Sequence, residues 1–164
     1  MQEEERLLKM LSHYRHDMMN EVQLLKAYLS MNRTEKASAV VDRMVVEAEQ
    51  HSRLHRLGAP RFACSLLEWM WEAPPLPVEL DIHNGDGFTD VETEALTLFA
   101  SFRNWLDSYV PAGAEGSVQI TVKPPGRMIF EAEGGGWIYK KLPPELEACA
   151  ERGNKELWMD IDLQ

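Results

Sequence analysis

In the stretch "HYRHDMMNEVQLLKAYLSM", residues 13–31, His16 is followed at once by Asp17 and one helical turn later by Asn20, with Arg15 just before it. These residue types can move a phosphoryl group. Imidazole is largely neutral near pH 7 and can attack through nitrogen without a base to deprotonate it first. An adjacent carboxylate such as Asp17 can hold one ring N–H and leave the lone pair of the other nitrogen free, while Arg15 can offset phosphoryl charge. If the donor and acceptor groups are aspartates recessed in other proteins, the nucleophile must stand on a convex surface. Everything then depends on where His16 points.

The surrounding helix answers from its periodicity. Leu7, Leu11, Tyr14, Met18, Val22, Leu25 and Leu29 recur at spacings of four and three, the mark of one helical face. At ~100° per residue, His16 projects ~160° away from Met18, on the solvent side, together with Lys9, Asn20 and Gln23. The helix is expected from near Glu4 to Met31, stopping at "NRT", where Thr34 can cap a second helix with Glu35 in its first turn. Ala37, Val41, Met44, Ala48, His51 and His55 repeat the pattern up to Gly58 and Pro60. A two-helix hairpin leaves its apolar seam open on one side, so a two-fold dimer forming a four-helix bundle is the simplest completion.

Beyond Pro60 the texture changes. "RFACSLLEWMWEA" reads as a helix, "VELDIH" as a strand and "VETEALTLFASFRNWLDSYV" as a long amphipathic helix. "GSVQITVK" and "RMIFEAE" read as a hairpin around Pro124, Pro125 and Gly126; "PPELEACAE" reads as a short helix and "ELWMDIDL" as a closing strand. The fold class expected is α+β: a helical hairpin over residues 1–58, then a small α/β sandwich over residues 59–164.

Composition narrows the functional classes. The chain has 164 residues, 45% hydrophobic and 27% charged, with a formal net charge of -10. Residues 1–57 carry nine basic and nine acidic side chains, which leaves eight basic against eighteen acidic on residues 58–164. Nucleic acid, which calls for a basic footprint, is not an expected partner. The neutral amino-terminal half is the one that can approach an acidic protein without repulsion. The apolar runs fall short of the ~18 residues of a membrane span, and "MQEEERLL" is acidic rather than a basic leader, so a cytoplasmic protein is expected. Cys64 and Cys149 form no CxxC pair and read as free thiols.

The segment "RHDMMNEVQLLKAYLSM" resembles the H-D-x-x-N motif of the sporulation initiation phosphotransferase B family, histidine phosphotransferases related to sensor histidine kinases. The likeness extends to the layout, a long helical hairpin followed by an α+β domain of about a hundred residues. It implies that His16 accepts the phosphoryl group and that Asp17 and Asn20 match the acid and amide after it. It also implies a phosphorelay in which a single-domain response regulator donates and a DNA-binding regulator accepts, controlling entry into sporulation. No cofactor is expected on this chain; Mg2+ would come with the regulator's acidic pocket.

Such phosphotransferases look like degenerate kinases whose second domain no longer binds ATP. A working domain needs a D-x-G-x-G loop, whereas "EAEGGGWIY" offers Glu133 before three glycines and no aspartate, and Asn104 lacks a second amide beside it. The glycines read as a turn. Two rival classes stand beside the phosphotransferase. A non-catalytic regulator-binding dimer derived from a kinase would have no need of His16, Asp17 and Asn20 together, and a kinase fragment with a real ATP site is opposed by the missing aspartate. His51 and His55 have the i, i+4 spacing of zinc ligands, but their periodicity aims them along the seam and nothing supplies the other ligands, so no metal site is expected. His13 reads as solvated, His83 as a turn residue, and the five tryptophans as core and edge packing.

Overall fold

The computed structural model describes the backbone of residues 2–163 and the side chains of residues 3–163. The chain divides into two compact units, Met1–Ser52 and Arg53–Gln164.

In the first unit α1 runs from Gln2 to Ser30 and α2 begins at Thr34. Helix α1 ends where Asn32 takes the left-handed conformation, φ 54°. Arg33 N–H then donates to Tyr28 O at 2.9 Å and Asn32 N–H to Leu29 O at 3.0 Å, the paired bonds of a Schellman cap. Asparagine tolerates this conformation better than most residues, which is why "MNR" stops the helix. The start of α2 differs from the expectation. Arg33 O accepts the first helical bond, from Ala37 N–H at 3.0 Å, so Arg33 is the N-cap and Thr34 is the first helical residue.

Two cross-contacts fix the helices as antiparallel. Arg43 Nη2 donates to Glu21 Oε2 at 2.5 Å, and Lys36 Nζ stands 5.8 Å from the Tyr28 ring centre. Glu21 and Tyr28, with Met10, are half-buried and lie ~80° around α1 from the Leu7–Leu29 stripe. The second helix therefore covers a flank of α1 and leaves most of the stripe exposed, Leu25 alone among its members being half-buried. In α2, ahead of its last turn, the buried positions are Ala37 and Val40, while Val41 is exposed and His51 half-buried; His55 is exposed. The seam expected through Val41 and His55 is displaced toward Val40.

Helix α2 continues to Arg56, and its last turn carries Leu54 and, just beyond, Leu57, which are buried in the core of the second unit. The division between units thus falls inside α2, ahead of Gly58. In the second unit follow α3 (Pro60–Trp71), β1 (Val78–Ile82), α4 (Glu92–Tyr109), β2 (Gly116–Lys123), β3 (Arg127–Gly134), a one-turn α5 (Pro144–Glu147), β4 (Ala150–Arg152) and β5 (Glu156–Asp162). The strands form one sheet in the order β1-β2-β3-β5-β4, parallel between β1 and β2 and antiparallel elsewhere. The fold class is α+β, as expected.

Strand alternation sorts the sheet into two faces. Val118, Ile120 and Val122, Met128, Phe130 and Ala132, and Leu157, Met159 and Ile161 are buried with Phe62, Leu66, Phe99 and Phe102 of α3 and α4. Phe102 stacks on Phe130 with ring centres 4.4 Å apart. The N-terminus of α3 is closed by a side chain of α4, since Glu92 Oε1 accepts the N–H groups of Arg61 at 2.7 Å and Phe62 at 3.1 Å. The predicted helix "PPELEACAE" is only half helical. After Glu147 the chain turns, and Ala150–Arg152 pairs with β5, Glu151 facing Trp158 across the ladder. Trp69, Trp105 and Trp137 are core residues as expected, but Trp158 stands 48% exposed on the open sheet face.

Candidate functional site

His16 lies midway along α1, with Asp17 beside it and Asn20 one turn on; all three are exposed. Asp17 Oδ1 is 3.2 Å and Asn20 Nδ2 3.3 Å from His16 Nδ1. Both contacts end on the same ring nitrogen. Nε2 has no hydrogen-bond partner among the described residues, and the His16 side chain is 73% exposed, so this nitrogen faces solvent. Periodicity explains the exposure: the side of α1 that meets α2 and the apolar stripe are both turned away from His16.

The four residues named from the sequence do not all converge. Asp17 and Asn20 both stand within hydrogen-bond distance of His16 Nδ1, whereas Arg15 is exposed, sits ~100° around the helix from His16 and has no hydrogen bond to these three among the described residues. His13 is half-buried and is not bonded to His16. The Glu21–Arg43 pair, which braces α1 against α2 just beyond Asn20, has no sequence signature. Only the equal distance of its two members from the turn at Asn32 hints at it.

In chemical terms the group can act as a nucleophile held from one side. A carboxylate on Nδ1 fixes the ring and disposes the opposite nitrogen to attack. The surface is convex, and no group of three or more histidine, cysteine, aspartate or glutamate residues among the described residues is arranged to hold a metal ion.

Residues 1–57 match the alpha-helical domain of the SpoOB-type sensor kinases. The likeness to the SpoOB-type family is thus one of this helical domain. The chain is also 32% identical, over 76 residues, to sporulation initiation phosphotransferase B of Bacillus subtilis strain 168. That match covers 46% of this chain and 40% of the relative's length. The SpoOB-type match contains the whole His16 group.

The second unit has its own candidate, the glycines after β3, and the structure accounts for the first of them by packing. A Cβ on Gly134 would lie 2.2 Å from the Trp137 ring, so the indole sits directly on the glycine backbone. Trp137 also meets Trp105 at 5.7 Å between ring centres, and Trp105 Nε1 donates to Lys141 O at 3.1 Å. Beside these glycines a hollow of about 800 Å3 is lined by Glu115, Glu133 and Glu156 against one lysine, Lys155. The remaining histidine, His83, bonds through Nε2 to Asp81 at 3.1 Å at the end of β1.

Proposed function

We propose that this chain is a phosphotransferase of the sporulation phosphorelay, in which His16 receives a phosphoryl group from the aspartate of one response regulator and passes it to the aspartate of another. One observation carries the reading: His16 is anchored at Nδ1 and open at Nε2 on a convex helix face. The Nε2 lone pair forms the N–P bond as the acyl phosphate P–O bond breaks and the donor aspartate leaves as a carboxylate. Asp17 holds the proton on Nδ1 and stabilises the positive ring that forms. Transfer to the second regulator is the reverse of these steps on a new carboxylate. Arg15, alongside, supplies positive charge to a docked acidic pocket rather than to the ring. Mg2+ belongs to that pocket, and the chain works in the cytoplasm, where response regulators are found.

The working form is a homodimer. Leu7, Leu11, Met18, Val22 and Leu29 are 43% to 57% exposed, and a second copy covers this stripe in a four-helix bundle while His16, ~160° away, stays accessible. The second unit is read as a degenerate kinase-like domain that makes no use of ATP. The packing of Trp137 on Gly134 and the carboxylates around the adjacent hollow support this, since a polyphosphate would meet negative charge.

Incubation with a phosphorylated single-domain regulator should place acid-labile, base-stable label on this chain, and a second regulator added afterwards should remove it. Labelling by ATP alone would instead make the chain a kinase. Binding of regulators with no label in either direction would make it a non-catalytic docking module.

A further inference from the structure

The two polar contacts of His16 compete. Asp17 Oδ1 at 3.2 Å can only accept a proton from Nδ1, and Asn20 Nδ2 at 3.3 Å can only donate one to it. A neutral imidazole has one proton, so Nδ1 serves Asp17 or Asn20 and never both. The two bonds belong to different tautomers. With the proton on Nδ1 and held by Asp17, Nε2 presents its lone pair to solvent. With Asn20 donating to Nδ1, the proton sits on Nε2 and neither nitrogen offers a free lone pair.

We propose that Asn20 is a positioning residue that opposes Asp17, stabilising every state of His16 in which Nδ1 carries no proton. In the resting protein it holds part of the population in the non-nucleophilic tautomer. After transfer it holds the phosphorylated ring in its slowly reacting form, so that Asp17 favours movement of the phosphoryl group and Asn20 favours its storage.

This inference rests on the reading of His16 as the phosphoacceptor, and the proton balance supports it. Attack by Nε2 forms the N–P bond, expels the donor carboxylate with the electron pair of the broken P–O bond, and leaves a positive ring with Nδ1–H on Asp17. Loss of that proton to water gives a neutral phosphohistidine whose Nδ1 lone pair is free to take the Asn20 N–H. Cleaving the N–P bond from the neutral form would expel an imidazolide anion, a poor leaving group. Nδ1 must therefore regain its proton, and leave Asn20, before the phosphoryl group departs. Both partners sit on the same helix as the ring and all three are exposed, so exchange between them needs only side-chain rotation. A docked regulator that engages the Asn20 amide would release the ring to Asp17.

The test uses the full chain with 15N-labelled imidazoles at one fixed pH, the His16 signals being assigned by their loss in His16→Gln. Asn20→Ala should raise the ratio of Nδ1–H to Nε2–H tautomer on the order of threefold, the worth of one exposed hydrogen bond, and Asp17→Ala should lower it. An unchanged ratio in Asn20→Ala would overturn the proposal. A lowered ratio would overturn it too, since it would mean that the amide faces Nδ1 with its oxygen and assists Asp17. In the second measurement, phosphoramidate charges the histidine with no regulator present; label should be lost from Asn20→Ala on the order of threefold faster than from the unmodified chain. Equal or slower loss would contradict the storage role. Neither measurement involves a regulator, so failure of regulator transfer would remove the phosphorelay reading while leaving the tautomer result to stand or fall by itself.

Discussion

On the helical unit Leu7, Leu11, Met18 and Val22 stand 43% to 57% exposed, whereas Phe62, Phe88, Phe102 and Phe130 of the second unit expose nothing. The second unit has a sheet to lay its helices on, and alternation along β2, β3 and β5 delivers one apolar face to them. The hairpin has only one neighbouring helix per helix, and that neighbour meets the flank of Glu21 and Tyr28 while most of the stripe stays exposed. A unit that leaves so much apolar surface open offers a surface for association, which is the basis of the proposed dimer, while the second unit buries its apolar side chains by itself. The proposed nucleophile stands on the first kind. His16 is opposite the stripe, so the proposed four-helix bundle would stiffen the helix that carries it without covering it.

The comparison breaks most sharply at the stripe. Met18→Glu or Val22→Glu in the full chain should turn a dimer into a monomer, because each symmetry-related pair of charges would cost about 3 to 5 kcal/mol per copy in a desolvated interface. Sedimentation reads the mass, and near-ultraviolet circular dichroism of the second unit's tryptophans should be unchanged. A wild-type chain that sediments as a monomer at micromolar concentration would end the four-helix proposal. Phe130→Ala is the converse: it should cost the second unit about 3 to 5 kcal/mol, read by urea unfolding, and leave dimerisation intact.

Much of this organisation was legible from residue spacing, and the exceptions have physical causes. The three-and-four spacing of Leu7 to Leu29 gave α1, its stripe and the outward direction of His16, because one helix needs only local geometry. Helix α2 was placed correctly along the chain and Ala37 is buried as expected, but the buried line continues through Val40 where the reading ran through Val41 and His55. Which flank of a helix meets its neighbour depends on side chains far along the chain, such as Glu21 and Arg43. Strand β2 matched "GSVQITVK" residue for residue, since alternation and flanking glycine and proline delimit it. Strand β4 was missed because "ACAE" has no strand pattern and is held only by pairing with β5. At the site, the types of His16, Asp17 and Asn20 were readable; their convergence on one nitrogen was not, since it depends on rotamers.

The smallest expected effect lies at an ion pair of the second unit. The Arg152 guanidinium, bonded to Glu147 at 2.8 and 2.9 Å, together with Leu142 N–H, holds the Glu147 carboxyl at about 2. A carboxyl pKa below its unfolded value stabilises the fold above that unfolded value, and the contribution is lost as pH falls toward the folded one. Glu147→Gln should therefore be less stable than the unmodified chain near neutral pH, and the gap should close between about pH 4 and 2. The side chain is 41% exposed, so the gap should stay below about 1 kcal/mol. A gap that widened on acidification would contradict the assignment.

The most direct measurement is transfer from a phosphorylated response regulator to the chain with His16 present and with His16→Gln. The unmodified chain should take up acid-labile label on His16, Asp17→Asn should take it up with a reduced rate, and His16→Gln should take up none while keeping its dimeric mass and its binding to the regulator. Label on the His16→Gln protein, or label mapping to His13 in the unmodified chain, would show that the exposed imidazole of α1 is not the phosphoryl carrier.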